Sequence, residues 1–199
     1  MKISVELVPR NEAQLLADAA TVRDVLPLAN AFNIPDLMRF PLRSWEACAI
    51  TSRILPNSIP HIRAIDIPPG DDLPMAQAIL DAGLTEILVI KGDPPHDMSQ
   101  ITYPNSSEEI IRRFKRRHPK LRVYAGFDPY RQGFRDEMAE VARKLDAGAD
   151  GFFTQLKNRA RTVSPARHAV PAISLNSSRN RRSGSRASMP LGSKIARAG

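Results

Sequence analysis

The chain has 199 residues, 42% hydrophobic, 25% charged and 6% aromatic, an ordinary globular profile with room for one domain or a domain plus a tail. A formal net charge of +8 conceals a division: all 21 acidic residues lie at or before Asp150, whereas ten of the 29 basic residues follow Gln155. One cysteine, Cys48, excludes a disulfide framework and a cysteine-rich zinc module, and no apolar run approaches the ~18 residues that span a bilayer.

Elements alternate along the body. The opening Met1-Lys2-Ile3-Ser4-Val5-Glu6 places a carboxylate where a signal peptide needs its apolar stretch, so the default location is the cytoplasm. Ile3–Val8 reads as a strand. Leu15, Leu16, Ala19, Val22 and Leu26 then recur at helical spacing behind Asn11, a suitable N-cap. Ala31–Ile34 is the second strand and Leu42–Leu55 the second helix, with Trp45 and Cys48 as core positions. His61–Ile67 is the third strand, and Leu73–Ala82 a helix stopped by Gly83. Glu86–Ile90 is the fourth strand; Ser106 and Glu109 form a capping box ahead of Ile110, Ile111 and Phe114. Arg122–Phe127 precedes a fifth helix expected to bury Met138, Val141, Ala142 and Leu145 before Gly148, and Gly151–Thr154 is the sixth strand. Residues 156–199, dense in Arg, Ser, Ala and Pro and without acid or aromatic side chains, read as a disordered basic tail.

Strands alternating with single helices predict right-handed βαβ units and a parallel sheet. Glu6, Asn33, His61, Asp93, Tyr124 and Gln155 fall at or near strand carboxyl ends, or point inward, at separations of 27, 28, 32, 31 and 31 residues. That beat suits a (β/α)8 barrel, whose active site lies on the carboxyl face. A doubly wound dinucleotide fold is disfavoured, because no G-x-G-x-x-G follows the first strand. The expected fold is therefore α/β, a partial TIM barrel of about five βα units plus a sixth strand over residues 1–155. Two strands of a closed barrel are unaccounted for, and the sixth strand is left with an open edge.

Several residues at those ends can carry chemistry, each with a plainer alternative. Glu6, among apolar neighbours, suits an inward general acid with a raised pKa; it equally suits a strand-end carboxylate in water. Lys91-Gly92-Asp93-Pro94-Pro95 offers a close-approach glycine and an aspartate at a strand end, and is also good turn chemistry. His61 suits contact with a cofactor ring or phosphate, or a structural hydrogen bond. Arg143 and Lys144 suit a phosphate, or compensation of a helix C-terminus. Gln155 suits a heterocycle, or a backbone cap. The basic residues between Ile110 and Lys120 read as the solvated face of an amphipathic helix, without a nucleic-acid motif. Metal-ligand spacing is absent, so no metal is expected.

Taken together, Val5-Glu6-Leu7-Val8-Pro9-Arg10, Pro60-His61-Ile62, Ile90-Lys91-Gly92-Asp93-Pro94-Pro95 and the run from Leu145 through Gly148 to Gln155 resemble the methylenetetrahydrofolate reductase family in order and spacing, over about residues 1–155. The resemblance implies a TIM-barrel flavoenzyme that binds FAD and uses NAD(P)H to reduce 5,10-methylenetetrahydrofolate to 5-methyltetrahydrofolate. It implies Glu6 as proton donor, Asp93 beside flavin and folate, and Gln155 on the pterin. Asn33, His61, Lys91, Gly92, Tyr124, Arg143 and Lys144 become cofactor-contact candidates. The partner implied is a small folate, with no specific nucleic acid and no membrane, and a homo-oligomer through the open edges. Two departures stand out: the family's Tyr-Pro-Glu-x-His is replaced by Phe127-Asp128-Pro129-Tyr130-Arg131, and the family pattern stops at Gln155. The abrupt change of composition reads as out-of-frame translation, with weak or lost turnover. The alternatives are a non-catalytic flavin- or folate-binding partial barrel and a polyanion binder acting through the tail.

Overall fold

The computed structural model describes residues 2–95, 100–154 and 171–175. Six strands alternate with five helices: β1 (Ile3–Glu6), α1 (Glu12–Val25), β2 (Ala31–Ile34), α2 (Ser44–Thr51), β3 (Ser58–Arg63), α3 (Ala76–Asp81), β4 (Glu86–Ile90), α4 (Ser107–Arg117), β5 (Arg122–Phe127), α5 (Phe134–Asp146) and β6 (Gly151–Thr154). Each strand from β1 to β6 pairs in parallel with the next, so the sheet curls in chain order as a partial α/β barrel. The stretch 156–199, expected as a disordered tail beside an open edge on β6, instead supplies a strand: β7 (Pro171–Leu175) runs antiparallel to both β6 and β1 and closes the ring. Its proline stands first in the strand, where a missing N–H is tolerated. Gln155 and the tail's ten cations lie outside the described residues.

Alternation along each strand sets two cores. Outward-facing Phe32, Ile34, Ile62, Ile87, Val89, Val123 and Ala125 pack under the helices against Leu15, Ala19, Cys48, Ile79, Ile110 and Phe114. Each of the larger side chains contributes about 1.5–3 kcal/mol by leaving water. Inward-facing Ile59, Leu88, Tyr124 and Phe153 fill the lumen, with Tyr124 and Phe153 edge-to-face at 5.4 Å. Below them Glu86 gathers Lys2, Arg122 and the Tyr124 hydroxyl (3.3 Å) at the amino end. The expected caps form: Asn11 Oδ1 accepts from Gln14 N at 2.9 Å, and Ser106 Oγ from Glu109 N at 3.2 Å. Gly148, at φ +104°, ends α5 in the left-handed conformation that permits Ala149 N to reach back to Lys144 O.

Three expectations are corrected. The third strand begins at Ser58, and Ala64–Asp66 is a 3-10 turn, because Ile67 N folds back onto Ala64 O. β1 ends at Glu6, leaving Leu7 and Val8 outside the strand. In α5 the buried residues are Glu137 and Lys144, while Met138 is 42% exposed and Ala142 is also exposed. The helix turns its charged ends inward because they have partners in the barrel mouth.

Candidate functional site

A cleft of about 640 Å³ opens at the carboxyl ends of the strands. It collects Glu6 from β1, Asn33 from β2, His61 from β3, Lys91-Gly92-Asp93 after β4, Gly126 and Phe127 of β5, and Phe153 and Thr154 of β6. Parallel pairing in register carries these residues to one rim, so separations of about thirty residues in sequence become neighbours in space.

One wall is a hydrogen-bond chain across three strands. Asn33 Nδ2 donates to Ser4 Oγ at 3.0 Å, and Asn33 Oδ1 faces His61 Nε2 at 3.0 Å. With the amide in this orientation, the ring donates from Nε2. The backbone carbonyl of His61 accepts from Ser44 Oγ at 2.6 Å. Burial pushes the imidazole pKa down to about 4, so the ring is neutral at physiological pH. The sign of the consequence follows. Above the unfolded value near 6.5 the neutral ring costs nothing; below it the unfolded chain takes up the proton that the folded ring refuses. Stability is expected to fall by up to about 3 kcal/mol as pH drops from 6.5 toward 4. Urea unfolding of wild type and His61→Gln across that window checks it, since the variant should lose this slope.

Glu6 adjoins this wall, two residues beyond Ser4 on β1 and paired in register with Asn33. No described residue hydrogen-bonds or ion-pairs with its carboxylate, and partial burial raises its pKa. A carboxyl group that holds its proton at higher pH, faces a cleft and lacks a cation is arranged as an acid.

The segment after β4 is braced from below. Gly92 takes φ +84°, Ile65 N donates to Lys91 O at 3.1 Å, and Arg63 Nη2 donates to Asp93 O at 2.7 Å. Arg63 is held in turn by Asp66 at 3.1 Å, and Asp66 also faces Arg43, which joins Asp36. Lys91 and Asp93 remain exposed on the rim.

The fourth side departs from expectation. Lys144 lines the cleft, but its ammonium already donates to Gly126 O at 2.8 Å and lies 3.4 Å from Glu140. Arg143 points away, 58% exposed and 3.6 Å from Glu108 of α4. Tyr124 lies below the cleft, with its hydroxyl on Glu86. Sequence reasoning passed over Asp128, Arg131 and Glu137, which line the same side. Glu137, 1% exposed, accepts from Asp128 N at 3.1 Å and Gln132 Nε2 at 3.0 Å, shaping the loop that replaces the family pattern. Arg131 pairs with Glu140 and lies 3.7 Å from Glu137. The available signal was the seven-residue step from Glu137 to Lys144, which puts both on one helix face.

The described residues include no group of three or more His, Cys, Asp or Glu arranged to hold a metal ion. No helix among them is long and apolar enough to cross a membrane. In comparison with known families, residues 42–173, about two thirds of the chain, match the family model described as methylenetetrahydrofolate reductase. The match takes in His61, Lys91, Gly92, Asp93 and Lys144, and begins after Glu6 and Asn33.

Proposed function

The chain belongs to the methylenetetrahydrofolate reductase family, and on that premise we propose that it is a flavin-dependent oxidoreductase reducing 5,10-methylenetetrahydrofolate to 5-methyltetrahydrofolate with NAD(P)H. The single observation that carries the reading is the convergence of Glu6, without a partner among the described residues, with Asp93 on one cleft at the barrel mouth.

The cleft suits a flavin. Its volume falls in the range of cofactor sites. Its wall presents the neutral polar groups Asn33 and His61, which match an uncharged fused heterocycle better than ions would. Lys91, exposed on the rim and without an ion-pair partner among the described residues, is a cation that can meet a phosphate. Lys144 acts chiefly on the protein itself, because Gly126 O and Glu140 already engage it. When bound, the flavin supplies the two-electron relay between reduced nicotinamide and folate.

The chain's own residues supply position and protons. Asn33 and Ser4 fix the imidazole of His61 against the ring site. The Arg63 brace holds the Lys91-Gly92-Asp93 backbone, and so presents Asp93 to the pterin. Glu6 donates a proton to the folate nitrogen as the methylene bridge opens, which its raised pKa favours. Gln155, outside the described residues, is assigned to the pterin by the sequence resemblance alone.

The test uses the full chain. Purified protein is reconstituted with FAD, its absorbance recorded after desalting, and 5-methyltetrahydrofolate measured by mass spectrometry under anaerobic NADH or NADPH. Retained flavin with product above an enzyme-free blank is the expected result. Retained flavin without product leaves a binding-only protein, and the absence of both retained flavin and product overturns the assignment.

A further inference from the structure

Two walls of the cleft share a support that lies outside it. Asp36 follows β2, is 4% exposed and does not line the cleft. A buried carboxylate is costly unless it is paired and hydrogen-bonded, and Asp36 is both. Its two oxygens serve successive residues at the start of α2. Oδ1 accepts from Ser44 N at 3.2 Å, and Oδ2 pairs with the Arg43 guanidinium.

From there the contacts run in two directions. Ser44, fully buried, donates from Oγ to His61 O at 2.6 Å, and the His61 ring meets Asn33 at 3.0 Å. This path ends on the polar wall. The other path ends on the rim: Arg43 lies 3.7 Å from Asp66, Asp66 lies 3.1 Å from Arg63, and Arg63 donates to Asp93 O at 2.7 Å. Carboxylates and guanidiniums alternate along it, so each charge has an opposite neighbour. Without the Asp36 charge, Arg43 competes with Arg63 for Asp66.

We propose that Asp36 is a positioning residue that holds the His61 wall and the Lys91–Asp93 rim in one register, through Ser44 on one side and Arg43 on the other. The proposal rests on the reading of the cleft as a flavin and folate site. Because the two paths part at the carboxylate, they are separable by substitution.

Three variants of the full chain test it. The readouts are flavin affinity, folate reduction in a single turnover, and hydrogen exchange at Ile65 N, which donates to Lys91 O at 3.1 Å. Asp36→Asn keeps an oxygen for Ser44 N and loses the ion pair. It should speed Ile65 exchange and slow folate reduction by about tenfold to a hundredfold, with flavin affinity within about twofold of wild type. Ser44→Ala should do the reverse, weakening flavin binding about fivefold while Ile65 exchange is unchanged. Asp36→Ala should show both losses; if far-UV circular dichroism shows that it has not folded, the first two variants decide. Asp36→Asn without effect on Ile65 exchange, or the same losses in all three variants, overturns the proposal. A wild-type chain that retains no flavin overturns the proposed function instead. The linkage is then decided by Ile65 exchange in Asp36→Asn and by the nitrogen-15 shifts of the His61 ring in Ser44→Ala.

Discussion

Glu6→Gln is expected to slow folate reduction by about 10²–10⁴-fold, while leaving flavin reduction by nicotinamide near its full rate. The amide keeps the shape of the carboxyl group but has no proton to give. No cation among the described residues holds Glu6 ionised, and burial raises its pKa, which favours its role as an acid. In the wild type the folate half-reaction should decline as pH rises through that pKa; in the variant this limb should vanish. The variant should be no less stable at neutral pH, because removing a negative charge that carries a desolvation cost at the cleft relieves that cost. Stopped-flow measurement of the two half-reactions separates the roles. Equal losses in both would make Glu6 a group that places the cofactor rather than an acid.

Gly92→Ala is expected to cost about 2–3 kcal/mol of stability and to weaken flavin retention. Two effects combine. At φ +84° any L side chain is strained by about 1–2 kcal/mol. A Cβ there would also stand 3.0 Å from Arg63 Nε and 3.2 Å from both Arg63 Cβ and Ile65 Cγ1. Arg63 must then shift, loosening its bond to Asp93 O and its ion pair with the half-buried Asp66. Gly83→Ala is the matched control: it too has positive φ, at +69°, but nothing lies within 4 Å of the added atom. Thermal melts should therefore drop several degrees further for the Gly92 variant than for the Gly83 one. Equal drops would assign the whole cost to the backbone.

The beat of strands and helices was legible because period-two and period-3.6 patterns are local properties, and βαβ units of similar length convert them into spatial order. Glu6, Asn33, His61 and the Lys91–Asp93 segment were legible for the same reason. What escaped the sequence was set by partners far along the chain. Tyr124 stands on the right strand, yet Glu86 at the amino end draws its hydroxyl down. Lys144 lies on the correct helix face, but whether its ammonium is free depends on Gly126 O and Glu140. Met138 looked like core because apolar residues at helical spacing usually are; the buried face instead carries Glu137 and Lys144, each satisfied by the loop or strand beside it. The third strand starts three residues before His61 and takes Pro60 into the sheet in register with Ile34, a proline position that local pattern does not mark as strand.

The packed floor of the lumen has one further consequence. Ile59, Leu88, Tyr124 and Phe153, with Glu86 and its cations beneath, stopper the barrel at its amino end. A stoppered tube is a cul-de-sac. Whatever enters past Glu6 and Asp93 meets that floor, so under the proposed function reduced nicotinamide and folate would use one doorway in turn.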